Sequence, residues 1–146
     1  MFDIFHPAPT PTQCHSDVTT IDNPIMSPSY PNDYGDNRSC YTRITASPSN
    51  KVVMLVFKTF NLEYAYNCDY DSLSIYDGAD ASASLFGKYC GADSPGTLVS
   101  TRQHMYLHLT SDASVSFPGY TADVLFINGT LVTFNFSRYD WSVYNI

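Results

Sequence analysis

Three carboxylates stand where loops adjoin short apolar runs. Glu63 and Asp71 lie on either side of Cys68 within Asn61–Gly78, NLEYAYNCDYDSLSIYDG, and Asp112 follows a strand-like run in Thr110-Ser111-Asp112-Ala113-Ser114. A disulfide at Cys68 would hold Glu63 and Asp71 near one fixed point of the backbone, and the run before Asp112 could carry the third acid to the same edge. Hard oxygen ligands on loops suit Ca2+ better than they suit acid–base chemistry. Crowded together without a cation, such groups repel and their pKa values rise. The plain alternative is three solvated loop acids.

Other chemistry is poorly supplied. The histidines are His6, His15, His104 and His108; the last two bracket a strand-like run, but nothing nearby completes a zinc site. There is no Gly-x-Ser-x-Gly elbow, no His-Glu-x-x-His and no glycine-rich phosphate loop, so the chain is read as non-enzymatic. Tyr64, Tyr66 and Tyr70 flank the acidic stretch and could serve either as a contact patch or as sandwich packing.

The elements that must position these residues are strands. The chain has 146 residues, the size of one domain, and it combines 14% charged with 15% aromatic residues, a β-protein composition. A net charge of −7 with no basic stripe argues against nucleic acid and anionic membranes as partners. No apolar run is long enough to span a bilayer. Met1–Phe5 lacks the basic flank and apolar core of a signal peptide, so a secretion signal is expected to have been removed or to lie outside this chain.

Cys14, Cys40, Cys68 and Cys90 contain no C-x-x-C pair, and their even number favours two disulfides over a metal or redox motif. Three connectivities are open; sequential pairing would give two similar, non-overlapping loops. Sequons at Asn37, Asn128 and Asn135 agree with a secreted, glycosylated chain. A cytosolic protein starting at Met1 is the competing reading, and the cysteines and sequons oppose it.

Along the chain, Pro7, Pro9 and Pro11 make residues 1–13 an extended arm. Ile21–Tyr34 reads as an ordered loop without a regular ladder. Strands are expected over Tyr41–Ala46, Lys51–Phe60, Leu73–Tyr76, Leu85–Tyr89, Thr97–Ser100, Met105–Thr110 and Thr121–Ile127, separated by Gly and Pro. KVVMLVFKTF, from Lys51, is apolar on both faces and belongs inside a sheet. Regular short strands with turn signals indicate a sandwich or barrel. A C-terminal extension, residues 128–146, holds a further alternating strand, Thr130–Phe136, and an apolar end with Trp141 that should pair with its own sheet or with a neighbour.

These landmarks resemble a CUB domain. The resemblance is carried by Cys14, Ser27-Pro28-Ser29-Tyr30-Pro31 with Tyr34, Cys40, the strand through Phe57, and Phe60-Asn61-Leu62-Glu63. It continues in Cys68-Asp69-Tyr70-Asp71-Ser72-Leu73, Tyr76-Asp77-Gly78, Gly87-Lys88-Tyr89-Cys90-Gly91, Pro95, Ser100, Ser111-Asp112-Ala113-Ser114 and Gly119-Tyr120-Thr121-Ala122. It covers residues 14–127. It implies an all-β, two-sheet antiparallel sandwich with disulfides Cys14–Cys40 and Cys68–Cys90.

The resemblance also implies a site. Glu63, Asp71 and Asp112 fall on the calcium ligands of the family's calcium-binding members, with a backbone carbonyl expected from Ser114 and hydrogen-bond support from Tyr34. Val115 departs from the pattern, since many members place there an Asn that adds a side-chain oxygen. The implied function is secreted, non-catalytic, calcium-dependent protein recognition, in which the metal-bound carboxylates receive a Lys or Arg from an extracellular partner. The alternative is a structural subunit, self-associating through terminal-strand exchange into an extracellular oligomer or fibre.

Overall fold

A computed structural model describes residues 12–129 of the chain. Nine strands run in order: β1 (Thr12–Val18), β2 (Ile25–Met26), β3 (Arg38–Thr45), β4 (Lys51–Asn61), β5 (Ser72–Asp77), β6 (Ser84–Tyr89), β7 (Thr97–Val99), β8 (His104–Thr110) and β9 (Gly119–Asn128). One three-residue 3-10 turn, Tyr66–Cys68, precedes β5. The strands form a five-stranded sheet, β1-β3-β8-β5-β6, and a four-stranded sheet, β2-β9-β4-β7. The two sheets make the expected sandwich.

Period-2 alternation decides which side chains meet between the layers. Val53, Leu55 and Phe57 of β4 and Ala122 and Val124 of β9 face Ile44 of β3, Leu73 and Ile75 of β5, and Met105, Leu107 and Leu109 of β8 in one core. The second apolar set of β4 faces outward: Val52 and Met54 cluster with Ile127, against Val56, Val99 and Leu125. KVVMLVFKTF is therefore apolar on both faces, and it lies inside its sheet between β9 and β7.

All pairings but one are antiparallel; β1 runs parallel to β3, with Cys14 directly opposite Cys40. The disulfides join Cys14 to Cys40 and Cys68 to Cys90, at Cα separations of 4.4 and 5.5 Å. The first fastens an edge strand to its neighbour. The second ties the 3-10 turn to the residue after β6.

Two expectations need correction. Ile21–Tyr34 is not without a ladder, because Ile25 and Met26 pair with Ala122 and Thr121 of β9. A two-residue strand between Pro24 and Ser27-Pro28 leaves no alternation to read. Thr12 and Gln13, taken as the end of the arm, belong to β1, whose polar sequence is held in place by parallel pairing. The rest of the arm, the alternating strand Thr130–Phe136 and the sequon at Asn135 lie outside the described residues.

Candidate metal centre

Pairing of β5 with β8 ends on Ser72 opposite Thr110. Asp71 immediately precedes the first of these residues and Asp112 follows the second by two positions, so the register alone brings both acids to one end of the five-stranded sheet. Glu63 arrives from the other layer, two residues beyond β4. Leu62 N–H donates to the Gly91 carbonyl at 2.9 Å, which positions Glu63 beside the segment anchored by Cys90. The three carboxylates offer ligand oxygens that all lie within 4.8 Å of one another. The site thus bridges both sheets.

Tyr34 lies at the centre of this arrangement. It is fully buried, its hydroxyl donates to Asp71 Oδ2 at 2.5 Å, and the same oxygen accepts the Glu63 amide at 3.2 Å. Burial, reinforced by the bond to Asp71, pushes the Tyr34 hydroxyl far above its ordinary pKa, so it remains a donor. Asp71 is also fully buried, and its Oδ1 accepts the Asp112 amide at 2.9 Å. One oxygen of this buried carboxylate therefore holds the Asp112 loop directly, and the other reaches the Glu63 loop through the Tyr34 hydroxyl.

A second set of contacts locks the Asp112 loop. Asn37 N–H donates to the Asp112 carbonyl at 2.7 Å and Tyr34 N–H to the Phe117 carbonyl at 3.0 Å. Ser111 Oγ donates to the Gly35 carbonyl at 2.7 Å and accepts the Arg38 amide at 2.9 Å. Ser114 N–H turns back on Asp112 Oδ1 at 3.3 Å. Gly35, at φ +93°, takes a left-handed conformation in this clasp, and a Cβ there would lie 2.9 Å from the Arg38 guanidinium. Sequence reasoning gave no role in the site to Gly35, the Asn37 amide, Ser111 or Gly91, because, the Ser111 hydroxyl apart, their contributions are backbone contacts between distant segments.

The electrostatics are those of an acid cluster without an internal counter-charge. Among the described residues no ion pair involves Glu63, Asp71 or Asp112. Desolvation raises the pKa of Glu63, and Asp71 and Asp112 raise it further. Desolvation likewise raises Asp71, opposed by its bonds from Tyr34 and the Asp112 amide. Glu63 Oε2 is buried and no hydrogen bond reaches it. A buried carboxylate oxygen without a donor is costly, and a hard cation is the partner that this all-oxygen set fits.

Among the described residues this is the one cluster of acids, histidines or cysteines close enough to share an ion. His104 instead bonds Thr45 Oγ1 at 3.0 Å. His108 stacks on Tyr41 with ring centroids 4.2 Å apart and contacts Ser39 Oγ at 3.0 Å. Tyr64, Tyr66 and Tyr70 are 68%, 80% and 56% exposed, which resolves their two readings toward surface and away from packing.

The chain matches the CUB domain family over residues 14–124. The zinc metalloproteinase nas-39 of Caenorhabditis elegans is 38% identical over 120 residues, which is 82% of this chain and 13% of that protein. The present chain thus spans a small part of a much longer relative. Among solved structures, the extracellular region of zebrafish Gpr126/Adgrg6 matches with a TM-score of 0.71 and 34% identity, over 80% of this chain and 15% of that one. The MASP-1 CUB2 domain bound to Ca2+ matches with a TM-score of 0.64 and 26% identity, over 75% of this chain and 96% of that one. The sandwich, the two disulfides and the match over residues 14–124 agree: the chain belongs to the CUB domain family.

Proposed function

We propose that this chain is a secreted, non-catalytic recognition module whose acidic edge is organised by Ca2+ and receives a Lys or Arg from an extracellular protein. Glu63, Asp71 and Asp112 would hold the ion, joined by the Ser114 carbonyl. The observation that carries this reading is the buried, unpartnered Glu63 Oε2 in a cluster of three acids within 4.8 Å. When bound, the ion supplies the positive charge that keeps these acids ionised and cross-links loops from both sheets. The MASP-1 domain, similar in fold and solved with Ca2+, supports the choice of metal.

This chain's own residues would do the rest. Tyr34 and the Asp112 amide occupy both oxygens of Asp71 from the protein side, which fixes the carboxylate. Glu63 and Asp112 are only partly buried and offer acceptors toward solvent, where a charge-assisted bond to an incoming ammonium or guanidinium is strongest. Exposed Tyr64, Tyr66 and Tyr70 supply rigid apolar contact area of the kind found at interface centres. Sequons at Asn37 and Asn128 accord with a glycosylated, extracellular protein.

The test is retention on an immobilised lysine-containing peptide at physiological salt, in calcium and in chelator, for the native chain and Glu63→Gln. Retention in calcium that is lost in chelator and in Glu63→Gln is expected. Equal retention in chelator would reduce the interaction to the general pull of a chain with net charge −7 and overturn the reading.

A further inference from the structure

Two sequons fall among the described residues, and they stand at opposite ends of the sandwich. Asn128 closes β9 opposite Lys51, whereas β9 opens on Gly119 opposite Asn61, two residues before Glu63. A strand of ten residues puts roughly 30 Å between these ends. Asn37 lies at the acidic end. It precedes β3, whose Ser39 pairs with Thr110, and its own N–H donates to the Asp112 carbonyl at 2.7 Å.

The clasp on the Asp112 loop uses only the backbone of Asn37. Among the described residues no hydrogen bond reaches its side-chain amide, and Glu63 Oε2 is the one buried side-chain oxygen or nitrogen without a partner. Asn37 itself is partly exposed, so Nδ2 opens to solvent. Its backbone stands at φ +53°, a left-handed conformation that Asn tolerates. Ser39, which completes the sequon, contacts His108 Nε2 at 3.0 Å and Tyr41 Oη at 3.4 Å and takes no part in the clasp.

We propose that Asn37 carries an N-linked glycan at the rim of the acidic site, and that this glycan admits only a partner presenting its Lys or Arg on a protruding segment; the second half rests on the recognition reading above. The co-reactant is a lipid-pyrophosphate-linked oligosaccharide. Asn37 Nδ2 bonds to the anomeric carbon of its first sugar as the C–O bond to the lipid pyrophosphate breaks; the pyrophosphate leaves with the electron pair, and the amide proton passes to a base of the transferase. A bulky, solvated chain rooted on a residue that hydrogen-bonds Asp112 excludes a broad protein face by volume and leaves the carboxylates open to a slender one. A glycan on Asn128, at the far end of β9, does not shield the site.

The test secretes the full chain from eukaryotic cells as Asn128→Gln/Asn135→Gln, which leaves Asn37 as its one sequon, with and without Ser39→Ala. Intact mass is expected to show one glycan that Ser39→Ala removes; an unmodified Asn37 overturns the proposal and leaves the calcium reading standing. Affinity in calcium is then measured for a free lysine-containing peptide and for the same peptide held flush in a surface loop of a compact carrier protein. Ser39→Ala, or enzymatic trimming of the glycan to its first sugar, is expected to raise affinity for the carrier at least about tenfold and to leave that for the free peptide unchanged. Equal affinity for the carrier with and without the glycan overturns the gate. Free peptide that no form binds in a calcium-dependent way overturns the recognition reading and the gate with it, and the free-peptide measurement tells that case apart. If Ser39→Ala fails to fold, the trimmed protein, in which every residue is kept, still decides.

Discussion

The Tyr34 hydroxyl and the Asp71 carboxylate meet at 2.5 Å inside the sandwich, and the same hydroxyl oxygen receives the Glu63 amide at 3.2 Å. One phenol thereby joins loops from both sheets. Tyr34→Phe removes the donor from a buried acceptor, a loss of about 1–3 kcal/mol of stability. It also frees the orientation of an Asp71 ligand oxygen, and partners behind metal ligands typically carry about 10–100-fold in affinity. Thermal unfolding in chelator and calcium titration should show both effects; a variant with native calcium affinity would remove Tyr34 from the site's support.

The pKa shifts set the sign of a pH dependence. Glu63 and Asp71 are raised above their ordinary values of 4.5 and 3.8 in the folded chain, so the protonated forms favour folding. Their stabilisation is fully present below those ordinary values and is lost as pH rises through the raised ones. In chelator, the melting temperature should therefore rise as pH is lowered from neutrality toward those ordinary values. In excess calcium the ion favours the ionised acids, and the same acidification should weaken binding and lower the melting temperature. Parallel slopes in the two media would contradict the assignment.

Val115 holds a left-handed backbone at φ +62°, a conformation that strains a β-branched residue and that Asn tolerates. Val115 is also where the family pattern often has Asn. Val115→Asn should relieve strain of about 1 kcal/mol and, by adding an oxygen beside Asp112, tighten calcium binding. Differential scanning calorimetry in chelator separates the two contributions: a rise without metal reports the backbone, and a further rise with calcium reports the ligand.

Cys68–Cys90 pins the connection between β4 and β5, which carries Glu63 and Asp71, to the residue after β6, whereas Cys14–Cys40 fastens the edge strand β1 to β3. Removing either pair by double Cys→Ser substitution should cost about 3 kcal/mol. Cys68→Ser/Cys90→Ser should in addition weaken calcium binding, and Cys14→Ser/Cys40→Ser should leave it near native. Equal losses of calcium affinity in the two variants would deny the second disulfide its local role.

Much of this was legible before any coordinates. β4 announces itself because Val53, Leu55 and Phe57 alternate with Val52, Met54 and Val56, and each set finds its own apolar cluster. β1 was not legible: its residues lack alternation, and a parallel pairing with residues 26 positions further on leaves no local trace. β2 is too short to show a period. Within the site, the acids could be picked out by residue type and by their place beside strands, and the resemblance pointed to Tyr34. The clasp of Gly35, Asn37 and Arg38 on Ser111 and Asp112 could not, because backbone bonds between distant loops place no demand on side-chain identity at most of the positions involved.

Isothermal titration of calcium into the native chain and into Asp112→Ala tests the central claim most directly. The account predicts saturable, one-site binding by the native protein, reversed by chelator, and binding by Asp112→Ala weakened by at least about 1.4 kcal/mol, a factor of ten. Equal binding by both proteins would remove Asp112 from the ligand set, and the absence of binding by the native chain would contradict the metal centre itself.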